Sequence, residues 1–463
     1  MSIQTKLDVE HLIQKQREFF HSGITRKIDF RLKQLKKLKT VIEEHEQEIL
    51  DALKKDLGKN PFEAYVSEIG FTLSSIRDMI KNVKRWSKTE KVKTPIYQMP
   101  SKSFIIKEPY GSVLIIGPFN YPFQLLIEPL IGAIAAGNCA VIKPSESTPH
   151  TTKVINKIIS NHFDPAYIKV VEGEKEETSL LIHAPFDYLF FTGSIPVGKI
   201  VMEAAAKNLV PHTLELGGKS PTIVDETADI KKAAQRIIWG KLMNAGQTCI
   251  APDYIVVHHK VKDELIKQMK IAIHAFYGDQ IQTSEEFGRI VNERHFDRLT
   301  EILEKDKSHI VAGGEHNRED RFIAPTILDH IDWSNAAMQD EIFGPILPIL
   351  TYDHLDDVIN MINAHPKPLA LYVFTENQKN ESQVLQQISF GGGCVNDTIS
   401  HISNSNLPFG GVGHSGVNAY HGKHSFDLFS HRKSMLKKST SVELKLAFPP
   451  YKMSLETIKR ILK

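Results

Sequence analysis

Between Gly111 and Ser194 short apolar, β-branched runs alternate with helical stretches, and a chain built that way folds around a parallel sheet covered on both faces. "GSVLIIGPFNYPF" reads as a buried strand closing in a Gly-Pro turn, and "LLIEPLIGAIAAGN" as a helix stopped by Gly137. "CAVIKPS" is the next strand and "TPHTTKVINKIISNHF" the next helix. "IKVVEG" and "FDYLFFTGS" are further strands, the last entering a glycine turn. The segment "LVPHTLELGGKSPTIVD" marks the passage into a second α/β unit, with helices over "DIKKAAQRIIWGKLMNAG" and "VKDELIKQMKIAIHAFYG". A chain of 463 residues is too long for one ordinary core, so two or more domains are expected.

Ahead of this pattern, residues Asp8 to Trp86 are rich in Leu, Ile, Lys and Glu. Leu32, Leu35, Leu38, Ile42, Ile49 and Leu53 recur at roughly helical spacing and Gly58 supplies a stop, so the segment reads as a helical layer with a wet outer face. Hydrophobic residues at 41% and charged residues at 24% describe a soluble globular protein, and a net charge of +2 gives no reason to invoke nucleic acid or an anionic membrane. The N-terminus lacks the pattern of a secretory signal, and no run reaches the roughly 18 apolar residues of a spanning helix. A reducing cytoplasm and no membrane anchor are expected.

The three cysteines, Cys139, Cys249 and Cys394, include no CxxC pair, which argues against a disulfide framework and a zinc site. The 21 histidines, "HGKH" and "VHHK" among them, lack the second cluster that metal ligation needs, so no metal is expected. Cys139 stands in an apolar run and reads as packing; Cys394, in "FGGGCVN", is left open between packing and a place near substrate. Cys249 is different. In "NAGQTCIAP" it follows Gly246, Gln247 and Thr248, small and polar residues that let backbone and ligand approach, which is how a nucleophile is presented.

Seven short motifs follow in order: "PFNYP", "KPSE", "FTGSIPVGK", "LELGGKS", "GQTC", "EIFGP" and "PFGGVGHSG". Together they make the sequence resemble the aldehyde dehydrogenase superfamily over essentially its whole length. The chain length, "NYPF", "GQTCIAPDY" and "YHGKHSFDLFSHRKS" resemble its class 3 branch, which acts on fatty and aromatic aldehydes. The resemblance implies oxidation of an aldehyde to a carboxylic acid, with Cys249 as the nucleophile that forms a thiohemiacetal and then a thioester. An isolated Asn120 after a Gly-Pro-Phe turn would read as a cap on its own turn. The resemblance instead makes its amide a donor to the oxyanion, with the backbone N–H of Cys249 as the second donor. Glu215, before Gly217 and Gly218 in an otherwise apolar segment, is assigned the activation of water; the alternative is a structural ion pair with Lys219.

"TGSIPVG" is not GxGxxG, so the usual dinucleotide fingerprint is absent. The family's variant turn matches Gly193, Ser194 and Gly198, at a helix N-terminus suited to a pyrophosphate. Lys143 and Glu146 match positions around the adenosine ribose, Glu341 the residue holding the nicotinamide ribose, and Phe343 a neighbour packed beside it. A carboxylate at the 2′-hydroxyl favours NAD; Lys143 leaves NADP possible.

The fold implied is α/β: a Rossmann-like cofactor domain (1–85 and 105–213), an α/β catalytic domain (214–400), a bridging and oligomerisation arm (86–104 and 401–440) and a tail (441–463). A homodimer formed through the arm and an aliphatic or aromatic aldehyde as substrate are implied with it. Three rivals stand beside this reading. One is a CoA-acylating relative, against which Glu215 counts; another is a catalytically retired binding or structural relative, against which Asn120, Glu215, Cys249 and Glu341 count together. The third is a cysteine hydrolase, which leaves the cofactor motifs idle. The segment "NDTISHISNS" resembles the stretch that shapes the substrate mouth.

Overall fold

The computed structural model describes residues 5–442 and 448–461. Two large sheets organise it. The first has six strands, in the spatial order Gly416–Val417, His212–Glu215, Tyr188–Thr192, Ser112–Ile116, Cys139–Lys143 and Ile168–Val170, all parallel except the first. Every residue of "SVLII", "CAVIK" and "YLFFT" is buried, as strands covered on both faces must be. The helix Gln124–Ala136 is likewise buried on all sides. It ends at Gly137, whose φ of 97° and missing side chain let the Arg31 guanidinium lie within 2.7 Å of the Cβ position. From there Arg31 donates to the Ala135 carbonyl at 3.2 Å, supplying an orphan carbonyl of the last helical turn with a partner.

The second sheet has seven strands, in the order Ile310–Ala312, Thr326–Leu328, Ile346–Tyr352, Tyr254–His258, Pro221–Val224, Ala370–Phe374 and Gly392–Val395. The chain crosses to it within residues 216–220, because Glu215 pairs with Thr192 in the first sheet and Pro221 with Tyr254 in the second. The strands Glu90–Val92, Ser101–Pro109 and Ser430–Lys438 form a separate antiparallel sheet that leaves Val92, Ile96, Tyr97, Met99, Met435 and Leu436 exposed. The expected arm segment 401–440 therefore divides. Gly416–Val417 instead closes the edge of the first sheet beside Glu215, and helix Gly422–Leu428 packs on that domain's helices. In the other expected arm segment, 86–104, the second strand, Ser101–Pro109, runs past the boundary at 104. Of the expected tail 441–463, residues 443–447 and 462–463 lie outside the described residues.

In the N-terminal layer Leu35, Leu38, Ile42, Ile49 and Leu53 are buried as their spacing predicts, and Gly58 ends its helix with φ 65°. Leu32 is only partly buried. One detail escaped the periodicity: between helices Pro61–Ala64 and Gly70–Trp86 a single π-helical turn, Tyr65–Ile69, carries Glu68 into the interior. Such widened turns recur at functional sites.

Candidate active site

The parallel strands of the first sheet end in register. Ile116 lies opposite Lys143 and Phe191, and Thr192 opposite Glu215, so the turns after all four strands open on one carboxyl edge, where α/β sheets bind ligands. Asn120 stands on the first of these turns, 2% exposed. Its backbone carbonyl accepts from Asn244 Nδ2 at 2.8 Å and from Lys59 Nζ at 3.0 Å. Its side-chain amide makes no hydrogen bond among the described residues, so it does not cap its own turn and is free to donate to a ligand. Asn120→Ala is expected to lower the rate of hydride release by roughly 10²–10³, the usual loss of one oxyanion donor, with little change in Tm. A rapid-mixing measurement showing less than about threefold loss, in place of that range, returns Asn120 to a turn residue.

Cys249 comes from the second unit. The chain leaves helix Ile230–Leu242 through Met243–Gly246, where Asn244 and Ala245 both take φ 52° and Gly246 φ 78°. Gly246 is obligatory here, since a Cβ would stand 2.2 Å from the Gly344 carbonyl oxygen. Glu63 accepts from the Asn244 N–H at 2.8 Å, and the Gln247 amide bridges Arg289 O and Val291 N, both at 2.9 Å. Tyr121 OH and Thr248 Oγ1, 2.7 Å apart, join the Asn120 turn to the residue before Cys249. Cys249 is partly exposed, whereas Cys139 is fully buried and its thiol is pushed up to about 12 by burial. Cys394 sits half-buried on its strand with its sulfur 3.5 Å from His401 Nδ1, beside the expected substrate mouth.

Glu215 is 2% exposed and neither carboxylate oxygen has a hydrogen-bond partner among the described residues. Burial pushes it well above its ordinary value of 4.5. Lys219, the alternative partner, turns away and pairs with Asp253 at 2.6 Å while donating to Ala337 O and Asp340 O. Glu341 rises to about 8, first from burial and then from Asp253, against the Gly218 N–H, Lys219 and Arg298. Burial, then Glu341, then Glu215 hold the Cys249 thiol protonated. The Cys249 thiol and the carboxyls of Glu341 and Glu215 are thus close enough to feel one another's charge, and burial favours the protonated form of each.

The cofactor candidates share this edge. Lys143 is buried at a strand end and ion-paired to half-exposed Glu146 at 2.8 Å. The Gly193 N–H donates to Glu215 O at 3.0 Å, and Ser194 opens the helix Ile195–Asn208 without capping it through its own side chain. A side chain on Gly198 would meet Leu216 at 2.5 Å. At Gly217 a Cβ would stand 2.1 Å from Glu341 Oε2, so that glycine brings the Glu341 carboxyl onto the first sheet's edge. Phe343 packs edge-on to Phe119 at 5.6 Å. A cleft of about 370 Å³ is bounded by Ile195, Gly217, Gly218, Lys219 and Glu341. A helix N-terminus, the carboxylates of Glu146 and Glu341 and glycines that keep a cleft open together fit a dinucleotide. A larger groove, about 470 Å³ and lined by Asn60, Gln282 and Arg321, holds none of the sequence-predicted residues.

Sequence reasoning missed Lys59, Glu63, Glu68, Tyr121 and His295. The first three belong to the layer read as a wet cover; a Lys and two Glu in a Lys- and Glu-rich segment carry no local signal. The His295 ring lies tilted against Phe119 with centroids 4.9 Å apart, and burial together with Arg298 and Arg294 lowers it to about 4. Its segment has no motif at all.

The chain is similar to known proteins over nearly its whole length. The profile described as "Aldehyde dehydrogenase family" matches residues 1–435. The chain is 56% identical over 455 residues to the 4,4'-diaponeurosporen-aldehyde dehydrogenase of Staphylococcus aureus (strain NCTC 8325 / PS 47), covering 98% of this chain and 99% of that one. It is 46% identical over 444 residues to aldehyde dehydrogenase family 3 member A2 of Pongo abelii, covering 96% and 91%. A solved structure described as the substrate-bound state of Staphylococcus aureus AldH superposes with a TM-score of 0.97 at 55% identity, over 100% of both chains.

Proposed function

The chain belongs to the aldehyde dehydrogenase family, and on that premise we propose that Cys249, Asn120 and Glu215 carry out its reaction. The enzyme oxidises aldehydes to carboxylic acids with NAD(P). Cys249 loses its proton to a neighbouring carboxylate and adds through sulfur to the aldehyde carbon. The Asn120 amide and the Cys249 backbone N–H donate to the oxygen that becomes anionic. A nicotinamide dinucleotide held by the residues named below would supply the hydride acceptor, and the oxyanion held by Asn120 and the Cys249 N–H collapses to the thioester. Glu215 then takes a proton from water, whose oxygen attacks the thioester carbon; the carbon–sulfur bond breaks and the acid departs. The observation that carries the hydrolytic step is the Glu215 carboxyl: buried, without a partner, and therefore able to gain and lose a proton rather than serve an ion pair.

Gly193, Ser194 and Gly198 are assigned to the pyrophosphate, Lys143 and Glu146 to the adenosine ribose, and Glu341 with Phe343 to the nicotinamide ribose. Glu146 favours NAD, and its pairing with Lys143 supports tolerance of NADP. We assign the chain to the class 3 branch, which its similarity to the family 3 relative supports. Its substrate is an apolar aldehyde, aliphatic or aromatic; the partly or fully buried Ile399, Ile402 and Phe409 near the expected mouth suit such a chain. Among the described residues no helix is long and apolar enough to cross a membrane. A cytoplasmic homodimer is proposed, assembled through the exposed apolar side chains of the arm sheet. The domain division proposed sets a cofactor domain on the first sheet, a catalytic domain on the second and the arm across them.

The test is NADH formation over short, medium, long and aromatic aldehydes without CoA, with the product identified. Free acid from the longer and aromatic members at the highest kcat/KM is expected. Turnover only with CoA, or only with short polar aldehydes, overturns the assignment.

A further inference from the structure

We propose that the buried Lys59–Glu68 ion pair of the N-terminal layer is the positioning device for Asn120, an inference that rests on the reading of Asn120 as oxyanion donor. The Asn120 amide makes no hydrogen bond that would aim it. Its direction is therefore inherited from its backbone, and that backbone is held by two donors, Lys59 Nζ at 3.0 Å and Asn244 Nδ2 at 2.8 Å, both on the Asn120 carbonyl oxygen.

Lys59 can hold it because all three ammonium directions are filled. One meets Glu68 Oε1, one the Asn120 carbonyl, and one faces the Tyr121 ring at 4.0 Å from its centroid. Glu68 Oε2 in turn accepts from the N–H groups of Phe123 and Gln124, at 2.9 and 3.2 Å, where the helix Gln124–Ala136 begins. A carboxylate is favoured at that end of a helix. The turn from Asn120 to Gln124 is thus fastened at both ends to one ion pair whose side chains are 0% exposed. A buried pair contributes little net stability, and its better-attested use is to select one geometry. The π-helical turn Tyr65–Ile69 delivers Glu68 to this place. Tyr121, lying against Lys59, bonds Thr248 next to Cys249, so the same pair also registers the donor against the nucleophile.

The experiment is a double-mutant cycle on the full-length enzyme, read as the rate of the first NADH turnover, aldehyde KM and NAD binding. Lys59→Met with Glu68→Gln removes both charges together, so no lone ion is stranded. Expected is a loss of roughly 10- to 100-fold in the first-turnover rate, the cost of an ångström-scale misplacement, with KM and NAD affinity within about twofold. In the Asn120→Ala background the same pair of changes should cost less than about threefold, since there is no amide left to aim. Glu68→Gln alone, which keeps the side chain's size but removes the charge that anchors Lys59, provides the same comparison should the charge-free pair not fold. An equal loss with and without the Asn120 amide, or a folded variant with an unchanged first turnover, overturns the proposal. A harmless Asn120→Ala by itself overturns the oxyanion reading instead, so the two failures are distinct.

Discussion

Aldehyde oxidation by Cys249→Ser is expected to fall by roughly 10⁴-fold or more, the scale seen when a nucleophile is removed from an otherwise intact site. The serine hydroxyl fills nearly the same space, so the loop held by Gln247, Glu63 and Tyr121 should survive and NAD binding, read by fluorescence quenching, should persist. The hydroxyl is far harder to ionise than a thiol, and the setting already opposes ionisation through burial, Glu341 and Glu215. Neither remaining cysteine replaces it: Cys139 is 0% exposed at the start of a strand inside the first sheet, and Cys394 stands beside His401 on the far edge strand of the second. A variant that retains a third of the wild-type kcat removes Cys249 from the chemistry.

Glu215→Gln should separate the two half-reactions. Hydride leaves before water attacks, so rapid mixing should give a burst approaching one NADH per active site and then turnover slowed by roughly 10²–10⁴, the range for loss of a general base. Added CoA should not restore the slow phase. Undiminished steady turnover, or acyl-CoA as the preferred product of the wild-type enzyme, rejects hydrolysis by Glu215. Loss of the burst itself would assign to Glu215 the proton of Cys249 as well.

The same substitution has a stability signature. A carboxyl whose folded pKa lies above its ordinary 4.5 binds its proton more tightly folded than unfolded, so its cost to folding is absent below 4.5 and grows as pH rises toward the folded value. Glutamine carries no such cost. The gain in Tm of Glu215→Gln over wild type should therefore be larger at pH 8 than at pH 5, and a gain independent of pH would show that the carboxyl is not held neutral.

How far the residues announced themselves depended on the range of the interaction. The strands over Ser112–Ile116, Cys139–Lys143 and Tyr188–Thr192 and the helix ended by Gly137 are set by local pattern, and they stand where the pattern predicts. Cys249, Asn120 and Glu215 were picked out through the ordered motifs that carry the family resemblance, each within three residues of a glycine or proline; taken alone, Asn120 reads as a turn cap. Lys59 and Glu68 were not, for their roles arise from partners 61 and 55 residues away. The π-helical turn was equally silent, being one extra residue in a helical repeat. The fate of 401–440 also turned on distant pairing: the short "GV" of Gly416–Val417 becomes a strand only because His212–Glu215 lies beside it.

That last pairing bears on the order in which the protein is made. Gly416 lies opposite Glu215, and the Leu216 N–H donates to Ser415 O at 3.1 Å, so the edge beside the Glu215 carboxyl is closed by residues synthesised some two hundred positions later. A nascent chain that has already exposed Cys249 to the cell still lacks this edge, along with the Gly422–Leu428 helix that covers the cofactor domain. The first sheet is therefore completed only by residues made late in translation.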